Sequence, residues 1–214
     1  ELAGIDGCLL EANDLGAVNL AAGRPFVAGP HLNIYNAATL ATYQRYGLRR
    51  WVPPLEADRA LVETLHASRP AGVETEVFVH GKLPLAFSAR CFTARHYGLN
   101  KDDCQFKCME HPEAMTLATR EGQPFLAING IQTMSAQTYN LLAQVPAMRA
   151  LGIDVIRISP QPDKMDEIIA AFDAARRGES VSPDTAGWAS CGLVDGYWFG
   201  DAGIARHATA PQGA

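Results

Sequence analysis

Residues 76–91 read EVFVHGKLPLAFSARC, and this stretch decides the predicted fold. The apolar run Val77–Val79 has the composition of a short buried β-strand, and it stops at a glycine and a proline. An apolar run that ends in this way before a helical segment is typical of a β–loop–α unit in a parallel sheet. Cys91 therefore lies beyond the carboxyl end of a predicted strand, which is the side where α/β folds bind ligands.

Five other short apolar runs have the same form, and each is followed by residues such as Gly, Pro, Asn or Asp. They are Cys8–Leu10, Phe26–Ala28, Arg50–Val52, Phe125–Ile128 and Val155–Ile158. From Phe26–Ala28 onward, successive runs lie 25 to 30 residues apart, except for one interval of 48 residues between Phe78 and Leu126. The long interval contains one unit plus an insertion of about twenty residues. This spacing suits a (β/α) barrel or a doubly wound sheet.

Three segments between or after these runs have the pattern of helices: Glu56–Ser68, Ser135 to about Leu151, and Pro162–Arg177. In the last segment, apolar residues recur at helical spacing and predict one core-facing stripe. The stripe consists of Met165, Ile168, Ile169 and Phe172.

These patterns predict an α/β fold with a (β/α) barrel-like parallel sheet over residues 1–178. A cysteine-rich insertion covers about residues 88–123, and an irregular C-terminal tail covers 179–214. Six predicted strands fall short of the eight in a complete barrel, so we expect the barrel to be incomplete at the N-terminus. Trp188, Tyr197 and Trp198 are expected to anchor the tail on the domain, and residues 208–214 to be disordered.

The composition excludes several classes of protein. The 214 residues are 48% hydrophobic and 19% charged, which predicts a packed core. Eighteen Lys and Arg against 23 Asp and Glu give a net charge of -5, without the basic footprint of a general nucleic-acid binder. No apolar run approaches the ~20 residues that span a bilayer, and residues 1–7 show no basic region of a secretory signal. We therefore expect a cytoplasmic protein that does not span a membrane.

Three of the five cysteines lie within 18 residues, at Cys91, Cys104 and Cys108. Such a group of thiols, without a secretory signal, indicates metal ligation rather than disulfides. An iron–sulfur cluster tolerates this irregular spacing, whereas structural zinc more often uses two short cysteine pairs. The alternatives are unligated thiols, or zinc completed by a histidine (His80, His96 or His111). Cys8 and Cys191 are expected to be small buried apolar groups.

At this point the sequence resembles a known family. Residues 76–91 are similar to the signature of the collagenase-like peptidase superfamily, in which E-x-F-x-H-G is followed by S-x-R-C. The resemblance is strongest for its UbiV-like branch, the proteins of oxygen-independent ubiquinone biosynthesis. The similar segments follow one another over most of residues 9–160, with a further one in the tail. They are residues 9–18, 25–40, 83–95, 101–108, 125–135 and 195–198.

The resemblance implies a function. UbiV-like proteins carry a [4Fe–4S] cluster and form a heterodimer with a UbiU-like partner. The pair hydroxylates the ring of ubiquinone precursors without molecular oxygen, with prephenate as the proposed oxygen donor, and a lipid-binding accessory protein is associated with it. Related members of the superfamily hydroxylate RNA bases.

The resemblance also implies a ligand set. UbiU-like proteins have a cysteine where this chain has Pro84, whereas UbiV-like proteins lack it and use cysteines that correspond to Cys91, Cys104 and Cys108. Their fourth cysteine lies far upstream, so its counterpart is expected upstream of Glu1. The chain is then a fragment of a longer protein, or its cluster is incomplete. Cys8 is a poor substitute because it begins its apolar run rather than ending it.

Polar residues that follow the predicted strands are further candidates. Glu11 and His80 are candidate acid–base residues, because both types can be tuned toward neutral pH. Arg90, Arg95 and Arg157 can hold a dicarboxylate by paired hydrogen bonds, and Asn129 is a candidate substrate contact. Arg90 and Arg95 could equally balance the charge of a thiolate cluster. The remaining polar residues at strand ends fit turns and helix caps equally well. They are Asn13, Asp14, His31, Asn33, Gln132 and Ser159.

Three functions remain open. The first is an iron–sulfur subunit for oxygen-independent hydroxylation of ubiquinone precursors. The second is an RNA base hydroxylase, which the acidic charge balance disfavours. The third is a non-catalytic scaffold in which a cluster or zinc only staples the insertion. Peptidase activity is disfavoured, because G-x-S-x-G and H-E-x-x-H are absent from the sequence.

Overall fold

A computed structural model of the chain describes residues 5, 7–21 and 23–207, and these residues form two compact units. The first unit contains the described residues of 1–79, 146–157 and 196–205. The second contains the described residues of 80–145, 158–195 and 206–214. In the described ranges, no helix combines the length and the hydropathy needed to cross a lipid bilayer.

Parallel strands form the sheet of the first unit. Its neighbouring strands are β1 (Leu10–Ala12), β2 (Phe26–Ala28), β3 (Leu48–Trp51) and the start of β4 (Glu74–Phe87), while β8 (Val155–Ile158) also pairs with β4. Glu11 lies opposite Val27, Val27 opposite Arg50, and Arg50 opposite Glu74. The predicted parallel strands are therefore confirmed in this part of the chain, with bounds that differ by a few residues.

Short polar side chains begin the helices of this unit. The helices are α1 (Leu15–Leu20), α2 (Ala37–Arg45) and α3 (Arg59–Ser68), followed later in the chain by α5 (Val145–Leu151). Asp14, Asn36 and Asp58 each accept a hydrogen bond of 2.8 Å from a backbone N–H in the first turn of the first three helices. Such caps satisfy amide groups that have no partner inside the helix. The predicted helix from Glu56 therefore begins three residues later, after Asp58.

The core of the first unit lies on one face of its sheet. Ala12, Phe26, Ala28 and Trp51 are buried there together with residues of the helices, such as Leu40. Since side chains alternate between the two faces of a strand, Glu11, Val27 and Arg50 point to the opposite face. That face carries the charged residues of the candidate site.

Antiparallel strands form the sheet of the second unit, so the prediction of a wholly parallel sheet is wrong and the fold is mixed α/β. The strand order is β4, β7 (Gln132–Asn140), β6 (Pro124–Asn129) and β5 (Met115–Ala118), with β9 (Leu193–Val194) parallel to β7. Phe125–Ile128 does form a strand, but a two-residue turn joins it to the next strand. Gly130 is the first residue of this turn and has a φ of 63°, which glycine adopts easily, and a glycine at the first position of a two-residue turn is a typical hairpin signal.

The predicted helix from Ser135 to about Leu151 is also wrong over its first half. Residues up to Asn140 belong to β7, which pairs with β4 on one side and β6 on the other. Ser135 does not cap a helix, because its Oγ accepts a hydrogen bond of 2.9 Å from the N–H of Leu83 in β4. Pairing on both sides fixes an extended backbone that the local sequence does not specify.

Helix α6 (Met165–Arg177) begins three residues after Pro162 and ends at Arg177 as predicted. Gly178 follows with a φ of 88°, a left-handed conformation that suits glycine at the end of a helix. Ile168 and Phe172 are buried as expected. Ile169 is 49% exposed, so its place in the predicted stripe is wrong; Ala171 and Ala175 complete the buried face instead.

The C-terminal segment has two buried tryptophans, Trp188 and Trp198, and a half-buried tyrosine, Tyr197. In the first unit, residues 196–205 form a closed loop in which the N–H of Gly196 donates to the carbonyl of Ala205 over 3.0 Å. The predicted disorder of residues 208–214 lies outside the described residues.

Replacing Gly196 by Ala is expected to destabilise this loop by about 2–4 kcal/mol. A Cβ atom at Gly196 would lie 1.9 Å from the carbonyl oxygen of Ala202, so backbone must move to admit it. Urea denaturation measures the loss. The control is Gly187→Ala, because a Cβ at Gly187 would meet nothing within 4 Å. Equal midpoints for the two variants would contradict the expected clash.

Candidate functional site

Asn13 connects the ends of β1 and β2 in the first unit. Its Nδ2 donates to Glu11 Oε1 over 3.0 Å, and its Oδ1 accepts from the backbone N–H of His31 over 3.3 Å. Gly29 leaves the necessary space, since a Cβ there would lie 2.2 Å from Asn13 Oδ1. The polar residues after β1 and the Gly-Pro-His sequence after β2 therefore form one arrangement around the Glu11 carboxylate.

A chain of ion pairs extends from Glu11 across the same face of the sheet. The Arg157 guanidinium donates to Glu11 Oε2 over 2.5 Å and to Glu76 Oε1. Arg50 donates to the second oxygen of Glu76 over 3.0 Å and to Glu74 over 2.7 Å. Glu76 is only 4% exposed, and it is the shared acceptor of both arginines. The structure therefore brings together Glu11 and Arg157, which the sequence proposed separately.

Sequence reasoning missed Glu76 and Arg50. Glu76 is the first residue of the EVFVHG segment, where a charged residue directly precedes an apolar run. A buried carboxylate needs a charged or hydrogen-bonding partner, so a glutamate at the start of a buried strand is a signal in the sequence for an ion pair. Its partners come from β3 and β8, 26 and 81 residues away in sequence. That distance explains why the pairing could not be predicted locally.

The ion pairs fix the charge states of Glu11 and Arg157. Burial alone would raise the pKa of Glu11, but hydrogen bonds from Arg157 and Asn13 and the charge of Arg157 outweigh it, so the pKa lies below its ordinary value. Burial alone would lower the pKa of Arg157, but Glu11 and Glu76 raise it. Glu11 is therefore a carboxylate at neutral pH, suited to accept a hydrogen bond or a proton rather than to donate one.

His80 belongs to the second unit and is fully buried. Its ring packs edge-on against Phe172 and Trp188, with centroids 5.8 Å away in both cases. Its Nε2 lies 3.2 Å from Gln161 Oε1, while the amide nitrogen of Gln161 donates to the carbonyls of Asp163 and Trp188. The Gln161 oxygen is thus the acceptor, which places the imidazole proton on Nε2. Nδ1 of His80 has no hydrogen-bond partner among the described residues.

Acid is expected to destabilise the protein through His80. Burial lowers the pKa of His80 below 6.5, so the unfolded chain binds the proton first as the pH falls. Above about pH 6.5 the neutral ring contributes its full stabilisation. As the pH falls from there toward the pKa of His80 in the folded protein, the free energy of unfolding decreases by at most about 1.4 kcal/mol per pH unit. Urea midpoints between pH 8 and 5 measure this loss.

The comparison variants separate His80 from other groups. His80→Gln should lower stability at pH 8 but flatten its decline below pH 6.5, whereas His96→Gln, which alters an exposed histidine, should leave the decline unchanged. The lowered pKa of Glu11 acts in a different window, because its stabilisation is lost only as the pH falls below about 4.5. An unaltered decline in His80→Gln would contradict the assignment to His80.

The three clustered cysteines lie in the second unit after β4. Cys91 precedes helix α4 (Phe92–His96), and its Sγ accepts a hydrogen bond of 3.4 Å from the N–H of Ala94. Cys104 follows a 3-10 turn, and Cys108 lies within the next 3-10 turn, Lys107–Glu110. All three are half-buried and free of disulfides. Cys91 does follow the carboxyl end of a strand, but the second half of β4 pairs antiparallel with β7, so it does not lie at the expected carboxyl edge of a parallel sheet.

Contacts tie the first and last of these cysteine segments together. Helix α4 packs against the Lys107–Glu110 turn. Tyr97, directly after α4, has its hydroxyl 2.7 Å from Nε2 of His111, and Lys107 Nζ lies 5.4 Å from the centre of the Tyr97 ring. Cys91 and Cys108 are therefore held on neighbouring elements.

The backbone between Cys104 and Cys108 adopts a sparsely populated conformation. Gln105 and Phe106 have φ angles of 52° and 50°, in the left-handed region that disfavours residues with a Cβ. Each such residue costs about 1 kcal/mol or more, and such strain clusters at functional sites. Phe106 and Met109 are also 71% and 79% exposed, which is unusual for large apolar side chains.

The donor chemistry of this segment fits a soft metal or an iron–sulfur cluster, because thiolates bind both. Among residues 5, 7–21 and 23–207, however, no group of three or more His, Cys, Asp or Glu side chains is arranged to hold a metal ion. Cys191 is half-buried, and Cys8 is exposed, so the expectation that Cys8 is buried is wrong.

The remaining predicted contacts are placed as follows. Arg90 and Arg95 are exposed on either side of Cys91. Asn129 ends β6, and its Nδ2 donates to the carbonyl of His111 over 3.3 Å, which joins the hairpin to the cysteine insertion. Glu11 and Arg157 belong to the first unit, and His80, Arg90 and Asn129 to the second.

Comparison with known proteins gives the family. The profile of peptidase family U32 matches residues 1–178. The chain belongs to peptidase family U32. This confirms the collagenase-like superfamily that residues 76–91 indicated. The U32 match also covers Glu11, Glu76 and the three clustered cysteines, so both arrangements described above lie inside the family region.

One curated relative of this U32 chain is tRNA hydroxylation protein P1 of Bacillus subtilis (strain 168). The two are 22% identical over 156 residues, which cover 68% of this chain and 35% of that protein. The chain therefore spans about a third of the length of the curated relative that it matches. No solved structure matches the chain.

Proposed function

We propose that this chain is an iron–sulfur protein of oxygen-independent hydroxylation, which acts on ubiquinone precursors together with a UbiU-like partner. The observation that carries the proposal is the set of three free thiols, Cys91, Cys104 and Cys108, beyond the end of β4 in a U32 protein. Zinc bound by the same thiols, in a non-catalytic scaffold, is the alternative.

The proposed cofactor is a [4Fe–4S] cluster, which supplies one-electron chemistry when bound. Cys91, Cys104 and Cys108 would hold it, with a fourth ligand from outside this trio. The hydrogen bond from Ala94 N–H to Cys91 Sγ holds this sulfur at the start of α4. Because no three such side chains are grouped in the described residues, cluster binding must draw the sulfur atoms together. The strained Gln105–Phe106 segment is the part of the insertion that would rearrange.

The ion-pair chain of the first unit supports a role with an anionic or hydroxylated substrate. Glu11 is the proposed acid–base residue there, and its lowered pKa suits the proton acceptor. Arg157 is the proposed substrate contact, although Glu11 and Glu76 already engage two of its nitrogens. Arg90 and Asn129 are proposed contacts beside the cysteine insertion, and His80 is a proposed acid–base residue of the second unit.

An RNA base is the second candidate substrate, because the curated relative is named a tRNA hydroxylation protein. The charge of this chain disfavours it. Residues 88–123 contain five Lys and Arg and five Asp and Glu, so the cysteine insertion has no net positive charge to attract a phosphate backbone.

A UbiU-like partner is supported by exposed apolar side chains of the second unit. Phe106 and Met109 in the insertion and Phe87, Leu117 and Phe125 in the sheet are all at least 47% exposed. Large exposed apolar side chains of this kind are enriched at protein–protein contacts. We also propose a cytoplasmic location and a lipid-binding accessory protein as a further partner. The strands β1–β4 are proposed to be part of a (β/α) barrel.

Anaerobic purification tests the cofactor. The proposal expects iron and acid-labile sulfide in equal amounts and visible absorption that is lost in air. Zinc near one atom per chain without sulfide would contradict the cluster and favour the scaffold.

Complementation tests the substrate. Cells that lack the corresponding gene should regain anaerobic ubiquinone synthesis when the chain is supplied with its partner, and a UbiU-like protein should co-purify with it. Restored tRNA hydroxylation with co-purified RNA, and no change in quinones, would instead select the RNA candidate.

A further inference from the structure

The first unit contains a cavity of about 260 Å³ at the amino ends of three neighbouring strands. Residues 23–25, 47–49 and 71–72 form its wall together with Gln44, and these three segments lie at or just before the starts of β2, β3 and β4. Asn13, in contrast, follows the carboxyl end of β1, so the Glu11 arrangement is at the opposite edge of the same parallel sheet. The cavity is therefore separate from the candidate site described above.

Two glycines let the loops before these strands approach one another. Gly47 has a φ of 107°, and a Cβ atom there would lie 2.4 Å from the carbonyl oxygen of Arg24. The carbonyl of Gly47 also accepts a hydrogen bond of 3.2 Å from the N–H of Phe26. Gly72 has a φ of 80°, and a Cβ there would lie 3.8 Å from Nη1 of Arg49. The close backbone approach therefore brings Arg24 and Arg49, from different loops, to one cavity.

The cavity has two guanidinium groups and no carboxylate in its described wall. Arg24 and Arg49 line it, and none of the described lining residues is Asp or Glu. The surrounding segment has the same bias, because residues 15–55 contain four arginines and no Lys, Asp or Glu, in a chain whose net charge is -5. Two like charges beside one cavity repel each other, and a bound anion removes that repulsion.

The wall of the cavity has hydrogen-bond donors available for a ligand. Arg50, next to Arg49 on β3, is paired with two glutamates, whereas Arg49 forms no ion pair in the described part of the chain. A guanidinium carries five N–H donors, so Arg24 can donate to a ligand beside its other contacts. Gln44 Nε2 donates to the carbonyl of Ala71 over 3.5 Å, which leaves the second N–H of this amide.

These donors select an oxygen anion of high charge. Planar guanidinium groups bind the oxygens of a phosphate by paired hydrogen bonds, and two of them together balance a doubly charged group. A carboxylate has one charge and two oxygens, so it matches the pair less fully. The volume lies just below the range of about 300–1,000 Å³ that is typical of pockets for drug-sized ligands, so it suits a small molecule.

We propose that this cavity binds the phosphate group of a small phosphate monoester, whose oxygens accept hydrogen bonds from Arg24 and Arg49. The site goes beyond the proposed function, since it requires neither the thiols nor Glu11 nor a partner protein. A monoester is favoured over the backbone of a nucleic acid, because each backbone phosphate carries a single charge and the chain as a whole is acidic.

Nuclear magnetic resonance of the full chain tests the site with methyl phosphate as the probe, at pH 7.5 and constant ionic strength. The backbone N–H signals of Gly23, Gly47 and Gly72, which line the cavity, should shift with saturation. Those of Gly130 and Gly178, which lie outside it, should stay fixed as internal controls. Dimethyl phosphate should bind at least about tenfold more weakly, because a monoester carries about two negative charges near neutral pH and this diester carries one.

Arginine variants separate the site from general charge. Arg49→Met should weaken methyl phosphate binding by about tenfold to one hundredfold, because it removes charged donors, and Arg24→Met should have a similar effect. Arg45→Met is the matched control. Arg45 is an exposed arginine of the same segment and donates to Thr42 Oγ1 over 3.3 Å, but it lies outside the cavity, so the affinity should stay unchanged. All three arginines are exposed, so these variants should remain folded.

Opposite results overturn the proposal. Equal affinity for methyl and dimethyl phosphate, no saturable shift of the three cavity glycines, or the same loss in Arg45→Met and Arg49→Met would each contradict a monoester site. A short single-stranded RNA that binds more tightly than methyl phosphate, and that Arg49→Met releases, would assign the cavity to nucleic acid instead. Repeating the titration on Cys104→Ser keeps the result independent of the cluster, because that variant should retain full methyl phosphate binding.

Discussion

Cys104→Ser is expected to lower the iron content of anaerobically purified protein from about four atoms per chain to fewer than one. The reason is that a [4Fe–4S] cluster held by three thiolates of this chain loses a ligand that a serine hydroxyl replaces poorly. Iron and sulfide analysis and the visible spectrum measure the loss. Anaerobic ubiquinone synthesis should fall with the iron content if the cluster is required for the reaction.

Cys191→Ser provides the matched control for this substitution. Cys191 is half-buried and free like Cys104, but it lies outside the cysteine insertion, so its replacement should leave iron and sulfide unchanged. If Cys104→Ser retains the iron content of the wild-type protein, Cys104 is not a ligand of the cluster. Retained quinone synthesis in a cluster-free variant would make the cluster dispensable and favour the scaffold.

Glu76→Gln is expected to destabilise the protein by about 2–4 kcal/mol. This substitution keeps the shape of the side chain but leaves Arg50 and Arg157 facing a neutral amide in place of a shared carboxylate. Loss of one partner from a buried ion pair is costly because the remaining charges stay desolvated, although the arginine side chains are 25% and 29% exposed, which moderates the effect. Urea denaturation at pH 7.5 measures it.

Glu74→Gln is the control for Glu76→Gln. Glu74 lies on the same strand and pairs with the same arginine at 2.7 Å, but its side chain is 47% exposed, so the expected loss is at most about 1 kcal/mol. Equal losses in the two variants would show that Glu76 has no special role in holding the arginines. A selective loss in Glu76→Gln would show that the carboxylate shared by Arg50 and Arg157 stabilises the fold.

The local patterns of the sequence located most strands but not their partners. The apolar run Phe125–Ile128 is a strand as expected, yet it belongs to an antiparallel hairpin rather than to a β/α unit. The sequence signal for this hairpin is Gly130, which takes the positive φ of a two-residue turn, but a glycine after an apolar run equally fits a loop before a helix. In β7, Ser135 resembled a helix cap, and only pairing with two neighbouring strands reveals its role.

The sequence by itself determined the family, the parallel strands of the first unit and the segment that contains Cys91, Cys104 and Cys108. These depend on residue types close together in the chain: apolar runs, turn residues, helix caps and the spacing of thiols. The tertiary structure alone decided that Glu76 joins Arg50 to Arg157, and that His80 is buried against Trp188 and Gln161. The physical reason is that ion pairs and desolvation depend on which distant segments meet. The role of the buried Glu76 is therefore visible only in the structure, in which β3 and β8 each place a guanidinium against one of its carboxylate oxygens.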